Sequence, residues 1–314
     1  MTFDHHTKRG AAALVIGGTL LVLIAGVGAG SSAPRPSAGT VMAVGAENEY
    51  ANVIGQIGGR YVSVDAIMSN PNTDPHSFEA SPSTARVVSG AQLVVQNGVG
   101  YDSFMDKIEA ASPSTTRKVI DVQTLLGLPT NTANPHLWYR PTTMPAVAKA
   151  IASDLSLLAP THTAYFDTNL RRFDASLKPW QRAIAKLRTS FPGAAVATTE
   201  PVADYMLQAA GIDNATPWTL QADIMNGVDP SPQGISLEQS LLSGHSVKAF
   251  IYNQQVTDSI TESFLALARS HGIPVVGVFE TMPTPGYDYQ SWMLAETNAL
   301  YDALAHRQST TQLG

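Results

Sequence analysis

Two histidines stand directly after prolines in polar loops, His76 in NTDPHSFEASP and His136 in NTANPHLWYRP, and the Pro-His dipeptide occurs nowhere else in the chain. Proline fixes its own backbone angle and restricts the residue before it, so each imidazole enters from a stiffened loop with little freedom to lose on binding a ligand. Two glutamates end apolar runs: Glu200 in GAAVATTEPVADYML and Glu280 in IPVVGVFETMP. A carboxylate at the end of a buried strand needs a cation or a set of hydrogen bonds, or it takes up a proton. Taken singly, each glutamate also reads as a helix amino-terminal charge or a strand-end salt bridge. Taken together, the four residues offer nitrogen and oxygen donors to a divalent ion and neutralise its double charge, a set suited to zinc, manganese or ferrous iron. They are far apart in the chain, unlike the close pair of a helical His-x-x-x-His site, so the fold must bring them together.

From residue 40 onward, apolar strand-like runs alternate with helix-like periodic segments, the pattern of an α/β fold with mostly parallel sheets. TVMAVGA, VSVDAIM and AQLVVQNG supply strands for a first lobe, and GAAVATT, VKAFIYN and IPVVGVF for a second. ANVIGQIGG reads as a helix closed by Gly58 and Gly59; SPSTARVVSG reads as one opened by Ser81 and Pro82 and ended by Gly90. In this arrangement His76, Glu200 and Glu280 follow the carboxyl ends of strands, where open α/β sheets bind ligands. Between the halves, Phe166, Leu170, Phe173, Leu177, Trp180, Ile184 and Leu187 repeat at alternating steps of four and three. They trace one apolar helical face over roughly 24 residues, about 36 Å at the helical rise, enough to serve as a strut between two lobes. Pro179 removes a backbone donor and is expected to kink or locally break this helix.

A chain of 314 residues exceeds what one core usually serves, so two lobes are expected. The net charge of -6 gives no reason to expect nucleic acid. With no cysteine, disulfides, thiolate metal sites, thiol nucleophiles and lipidation at cysteine are excluded. At the amino terminus Lys8 and Arg9 precede the uncharged AAALVIGGTLLVLIAGVGAG, followed by SSAPRPSAG. This reads as an export signal, with Val27 and Ala29 suited to cleavage, or as a retained anchor. Either outcome leaves the rest outside the cytoplasm. The expected organisation is residues 1–39 as signal or anchor with linker, 40–160 as the first lobe, 161–190 as the interlobe helix, 191–308 as the second lobe and 309–314 as a tail.

At these residues the chain resembles the manganese- and zinc-binding solute-binding proteins of bacterial ABC importers. The likeness runs from residue 40 to about 305, through VMAVGAENEYANVIGQIGG, DPHSFEASPSTARVVSGAQLVVQNGVGYD, NPHLWY, TTEPVADYML and VFETMPTPGYDYQSWM, with DPHSFE the most specific. The resemblance implies two α/β lobes joined by one long backbone helix, a metal site in the interlobe cleft, and four ligands: His76 and His136 from the first lobe, Glu200 and Glu280 from the second. It implies an extracytoplasmic carrier that is a monomer, no enzyme, and that hands one zinc, manganese or iron ion to a membrane permease. Many relatives have histidine where Glu200 stands, a choice associated with zinc, and aspartate where Glu280 stands. The acidic, histidine-rich loop of some zinc-specific members is missing here, and so is the lipidated cysteine of Gram-positive ones. The alternatives are a secreted zinc-dependent hydrolase, for which no further acid or nucleophile stands out, and a surface adhesin stabilised by metal. The other histidines, His5, His6, His162, His245, His271 and His306, read as surface, tail or helix-end residues. Asp74, Glu79 and Asn134 are candidates to orient the imidazoles.

Overall fold

Eight short parallel strands form two sheets in the computed structural model, which describes residues 39–72 and 74–313. The apolar stretch read as an export signal lies outside the described residues. No helix among those described is long and apolar enough to cross a membrane.

The first sheet holds β1 (Val41–Glu47), β2 (Val62–Met68), β3 (Leu93–Gln96) and β4 (Lys118–Asp121) in the order β2-β1-β3-β4. The second holds β5 (Ala195–Thr198), β6 (Asp213–Asn214), β7 (Phe250–Asn253) and β8 (Val275–Val278) in the equivalent order β6-β5-β7-β8. All pairings are parallel, in registers such as Val41 with Val62 and Phe250 with Val275. In each sheet the chain leaves the first strand to one side and returns to the other. A crevice therefore opens at the carboxyl ends of β1 and β3, and another at those of β5 and β7, the places where such sheets bind ligands.

The central strands are apolar on both faces because both faces are covered. Val41 and Ala43 of β1 and Leu93 and Val95 of β3 join a large core cluster, while the alternate residues Val44, Ala46 and Val94 join a smaller one on the other face. The second sheet repeats the alternation. Val196, Ile251, Val276 and Val278 share the large cluster, and Ala197, Phe250, Tyr252 and Val275 face a separate one. One core is thus continuous from sheet to sheet, and the long helical segment runs through it. Phe166, Phe173, Leu177, Trp180, Ile184 and Leu187 are all buried there, with Leu170 packed at its edge. The apolar stripe therefore faces the core along its whole length, as its spacing requires.

The helical segment itself is divided. One helix spans Thr163–Ser176 and the next Lys178–Ser190, with Leu177 at the junction. Pro179 supplies the cause anticipated from the sequence, since it has no N–H to continue the ladder. Its consequence falls two residues earlier, and Leu177 keeps helical angles, so the direction of the segment is hardly interrupted. Trp180, fully buried, donates its indole N–H to Thr297 Oγ1 at 2.9 Å and lies edge-on to Tyr289 at 5.9 Å. Both partners belong to the helix Tyr289–His306, which anchors the segment.

Side-chain amides tie the halves together away from the sheet ends. Asn48, on the helix Asn48–Gly58 after β1, donates Nδ2–H to the Met282 carbonyl at 2.8 Å and accepts the Met282 N–H at 3.0 Å. Gln56 and Gln290 form a second pair, at 3.0 and 2.9 Å, and Asn52 accepts the Tyr289 amide at 3.1 Å. Such reciprocal contacts fix both spacing and orientation, because neither amide can turn without losing two bonds.

One buried acid lies outside this frame. Glu238, within the helix Pro232–Ser243, is fully buried, and burial pushes its carboxyl up to about 8. The folded chain holds this proton more tightly than the unfolded one, whose glutamate titrates near about 4.3. The stabilisation is complete below the unfolded value and is lost as pH rises through about 8. Glu238→Gln, which cannot ionise, is expected to gain stability relative to the parent across that interval and then to level off. Urea unfolding at pH 5 and pH 8.5 checks this; an unchanged difference between the two proteins would contradict it.

Candidate metal centre

His76 lies in a single 3-10 turn, Pro75–Ser77, after β2. Asp74 caps that turn by accepting the His76 amide at 2.8 Å, so the acid orients the loop rather than the ring. Glu79 is exposed. His136 precedes the turn Leu137–Tyr139 and is completely buried. Its loop is held from below: Tyr50 donates its hydroxyl to Asn97 Oδ1 at 2.7 Å, and Asn97 Nδ2–H donates to the Pro135 carbonyl at 2.8 Å. Trp138, also fully buried, stands edge-on to the His136 ring at 5.5 Å.

From the second half, Glu280 follows β8 in a backbone that two side chains clamp. Gln255 Oε1 accepts the amides of Glu280 at 2.6 Å and Thr281 at 2.8 Å, while Glu296 Oε1 accepts the Phe279 amide at 3.2 Å. Tyr139 adds a tie across the halves by donating to the Phe279 carbonyl at 2.7 Å.

These elements bring three of the four sequence candidates together. His76 Nε2 is 3.1 Å and His136 Nε2 3.0 Å from Glu280 Oε2, and one donor atom from each residue lies within 4.8 Å of the others. Atoms bound to one ion at about 2.1 Å would stand about 3.0 to 3.4 Å apart at right or tetrahedral angles, so the two contacts to Glu280 have the spacing of shared coordination. Glu200 is not in this trio. It follows β5 and is buried, and the Asn253 amide that donates to Glu280 is also its neighbour. Burial first, and the Glu280 charge second, push its carboxyl well above the usual range.

Protonation at the trio follows from the neighbours. Burial raises the Glu280 carboxyl, but the His76 charge and hydrogen bond outweigh it and hold Glu280 well below the usual range. For His76, burial works downward while Glu280 prevails and raises it; for His136, burial prevails and lowers it. The difference matches exposure, since the His76 side chain is 20% accessible and that of His136 is not accessible at all. Burial therefore favours the neutral form of His136, and Asn134 decides its tautomer. Asn134 Nδ2–H donates to the Pro201 carbonyl at 2.7 Å, which leaves Oδ1 to accept the His136 amide at 3.0 Å and its ring Nδ1–H at 2.8 Å. The proton on Nδ1 leaves a lone pair on Nε2, facing an ionised carboxylate oxygen. Two acceptors at 3.0 Å call for a positive charge between or beside them.

Two residues at this site escaped the sequence reading. Tyr101, in the loop after β3, donates its hydroxyl to Glu280 Oε2 at 3.0 Å, and Asn253, the last residue of β7, donates to Glu280 Oε1 at 2.8 Å. Both stand at strand carboxyl ends, the same signal that selects the glutamates, but neither is ionic in the way a search for ligands rewards. Buried carboxylates Glu47 and Glu49 lie where β1 passes into its helix, and burial pushes both upward. Beside His76 a cleft of about 800 Å³ opens, with Asp74, Tyr101 and Lys107 on one wall and Met225 and Val256 on the other.

Among known proteins, a family model described as the periplasmic zinc-uptake complex component A, ZnuA, matches residues 44–303. The manganese ABC transporter substrate-binding lipoprotein PsaA of Streptococcus anginosus is 24% identical over 225 residues, covering 66% of this chain and 72% of the relative. The fold is shared with the solute-binding protein FpvC of Pseudomonas aeruginosa, solved in complex with Mn2+, at TM-score 0.70 and 19% identity over 85% of this chain and 99% of that one. A periplasmic metal-binding protein of Candidatus Liberibacter asiaticus superposes at TM-score 0.68 with 16% identity, covering 84% of this chain and all of that one.

Asn134 links the two halves as well as the tautomer, since its carbonyl also accepts the Tyr205 hydroxyl at 2.9 Å. Asn134→Ala removes an acceptor from a buried imidazole and a donor from the Pro201 carbonyl, and should cost about 1–3 kcal/mol for each buried group left unpaired. The urea midpoint measures it, with a fall expected at unchanged m-value; an unmoved midpoint would show that water replaces the amide.

Proposed function

Because the chain belongs to the ZnuA family of periplasmic zinc-uptake components, we propose that it captures a divalent transition-metal ion through His76, His136, Glu200 and Glu280 and presents it to an ABC permease. The carrier acts outside the cytoplasm. Zinc and manganese both suit the donor set, two nitrogens with two carboxylates. The observation that carries the assignment of ligands is the facing pair of His136 Nε2 and Glu280 Oε2, both acceptors once the neutral ring donates its Nδ1–H to Asn134 Oδ1. A dication satisfies both and accepts His76 Nε2 on the same terms. Glu200 completes the set as a buried carboxylate, whose raised proton affinity reverses when a cation arrives.

Capture and release follow from the division of the ligands. Two come from each half, so binding free energy favours the arrangement that brings both pairs to the ion, and the loaded population grows with metal. The helical segment and the Asn48–Met282 clamp confine any rearrangement to small displacements at the sheet ends. A permease that recognises the loaded arrangement can then discriminate a filled carrier from an empty one. His76, the accessible member, borders the cleft through which an ion enters and leaves.

Protons compete with the ion for all four groups, so affinity should fall as pH is lowered from neutral to mildly acid values. Calorimetric titration with zinc and with manganese at both pH values checks this, and equal affinities would refute metal capture by imidazole and carboxylate. Replacing Glu200 with histidine exchanges an oxygen donor for a nitrogen donor and should raise zinc affinity relative to manganese. If both affinities stay as they were, Glu200 is not a ligand.

A further inference from the structure

We propose that Tyr101 and Asn253 act as a clamp that holds Glu280 to one-oxygen coordination and thereby biases the site toward zinc over manganese. The inference rests on Glu280 being a ligand, as proposed above. Neither clamp residue is itself a ligand. Both are positioning residues that act through the carboxylate, and they approach it from opposite halves of the molecule.

The geometry begins with the unequal use of the two oxygens. Oε2 is the atom within 3.1 Å of both imidazoles, and it also accepts the Tyr101 hydroxyl at 3.0 Å. Oε1 accepts only the Asn253 amide, at 2.8 Å. Bringing Oε1 onto an ion that already holds Oε2 requires the carboxylate to turn about its terminal bond. That turn draws Oε1 away from Asn253 and carries Oε2 off the Tyr101 hydroxyl.

Neither partner can follow. The Asn253 amide N–H donates to Thr199 Oγ1 at 3.0 Å, and its Oδ1 accepts the Gln255 amide at 3.0 Å, so its side-chain nitrogen is held toward the two carboxylates, Glu280 and Glu200. The Tyr101 ring is wedged among aromatic neighbours, 5.3 Å from His76, 6.0 Å from His136 and 5.1 Å from Trp138, each in an edge-on contact. Its loop is pinned as well, because Asp102 accepts the Asn97 amide at 2.6 Å and the Gly98 amide at 3.0 Å. The backbone of Glu280 is fixed by Gln255. A second oxygen therefore reaches the ion only by breaking one buried and one partly buried hydrogen bond.

The consequence depends on the metal. Zinc is satisfied by four donors in a tetrahedron, whereas manganese favours more donors, most of them oxygen. Keeping Glu280 at one oxygen withholds the additional donor from manganese and costs zinc nothing. Tyr101 further binds the oxygen that faces the ion, which orients the remaining lone pair toward it.

The test compares the full chain with Tyr101→Phe, Asn253→Ala and Glu280→Ala. Zinc and manganese affinities come from calorimetry, the number of donors around bound zinc from X-ray absorption, and fold integrity from thermal unfolding without metal. Loss of either clamp residue should lower zinc affinity by about ten-fold, lower manganese affinity less, so that the zinc-to-manganese ratio narrows, and add a donor at zinc. Tyr101→Phe keeps the ring and its contacts, so it decides the matter if Asn253→Ala unfolds. An unchanged ratio and an unchanged donor number in folded Tyr101→Phe would overturn the clamp while leaving the proposed function in place, provided that Glu280→Ala abolishes binding. Full affinity in Glu280→Ala would overturn both.

Discussion

A single carboxylate without water around it sets the terms for the rest of the molecule. Glu280 is fully buried, and a buried charge persists only where donors or cations surround it. Here the His76 imidazole and a phenol from the first half and an amide from the second supply the donors, while His136 Nε2 faces the same oxygen. Every one of these groups must arrive within about 3 Å of a carboxylate oxygen, the reach of a hydrogen bond. Several polar features of the interior can be traced to that requirement. Asn134, Asn97, Gln255 and Glu296 are buried polar residues whose bonds fix the loops that carry His136 and Glu280.

The fold meets the requirement through repetition. Both sheets have the same strand order, and each opens its crevice at the carboxyl ends of its central strands. Facing those ends toward one another makes every loop after a strand a possible contributor, and the site draws on loops after β2, β3, β4 and β8 and on the last residue of β7. The continuous apolar core and the helical segment maintain the separation of the sheets, while amide pairs such as Asn48 with Met282 fix their relative rotation. Stability and function are thus divided spatially. Apolar contacts hold the frame, and the polar strand ends are left free to exchange an ion.

The sequence made the framework legible wherever periodicity was strong. The stripe from Phe166 to Leu187 marked the helical segment and its buried face, Ser81 marked a helix start that is a full capping box, and Gly59 marked a helix end at positive φ. β4 and β6 were not anticipated. KVID is half exposed and only four residues long, and β6 is a two-residue edge, so neither displays the buried apolar run that identifies a parallel strand. At the site, His76, His136 and Glu280 were visible because ionisable groups in stiff loops or at strand ends demand a partner. Tyr101 and Asn253 were not, since neutral polar residues are common in such loops and only geometry shows what they hold. The break at Leu177 illustrates a similar limit: Pro179 announces a missing donor, but the position of the missing acceptor contact depends on the local helix.

The most direct measurement is a crystal structure of the protein loaded with zinc, with anomalous scattering used to locate the ion. The account predicts one zinc peak in the interlobe cleft, about 2.0 to 2.2 Å from His76 Nε2, His136 Nε2, a Glu200 oxygen and Glu280 Oε2. A zinc peak elsewhere, or one in the cleft that Glu280 does not touch, would contradict it.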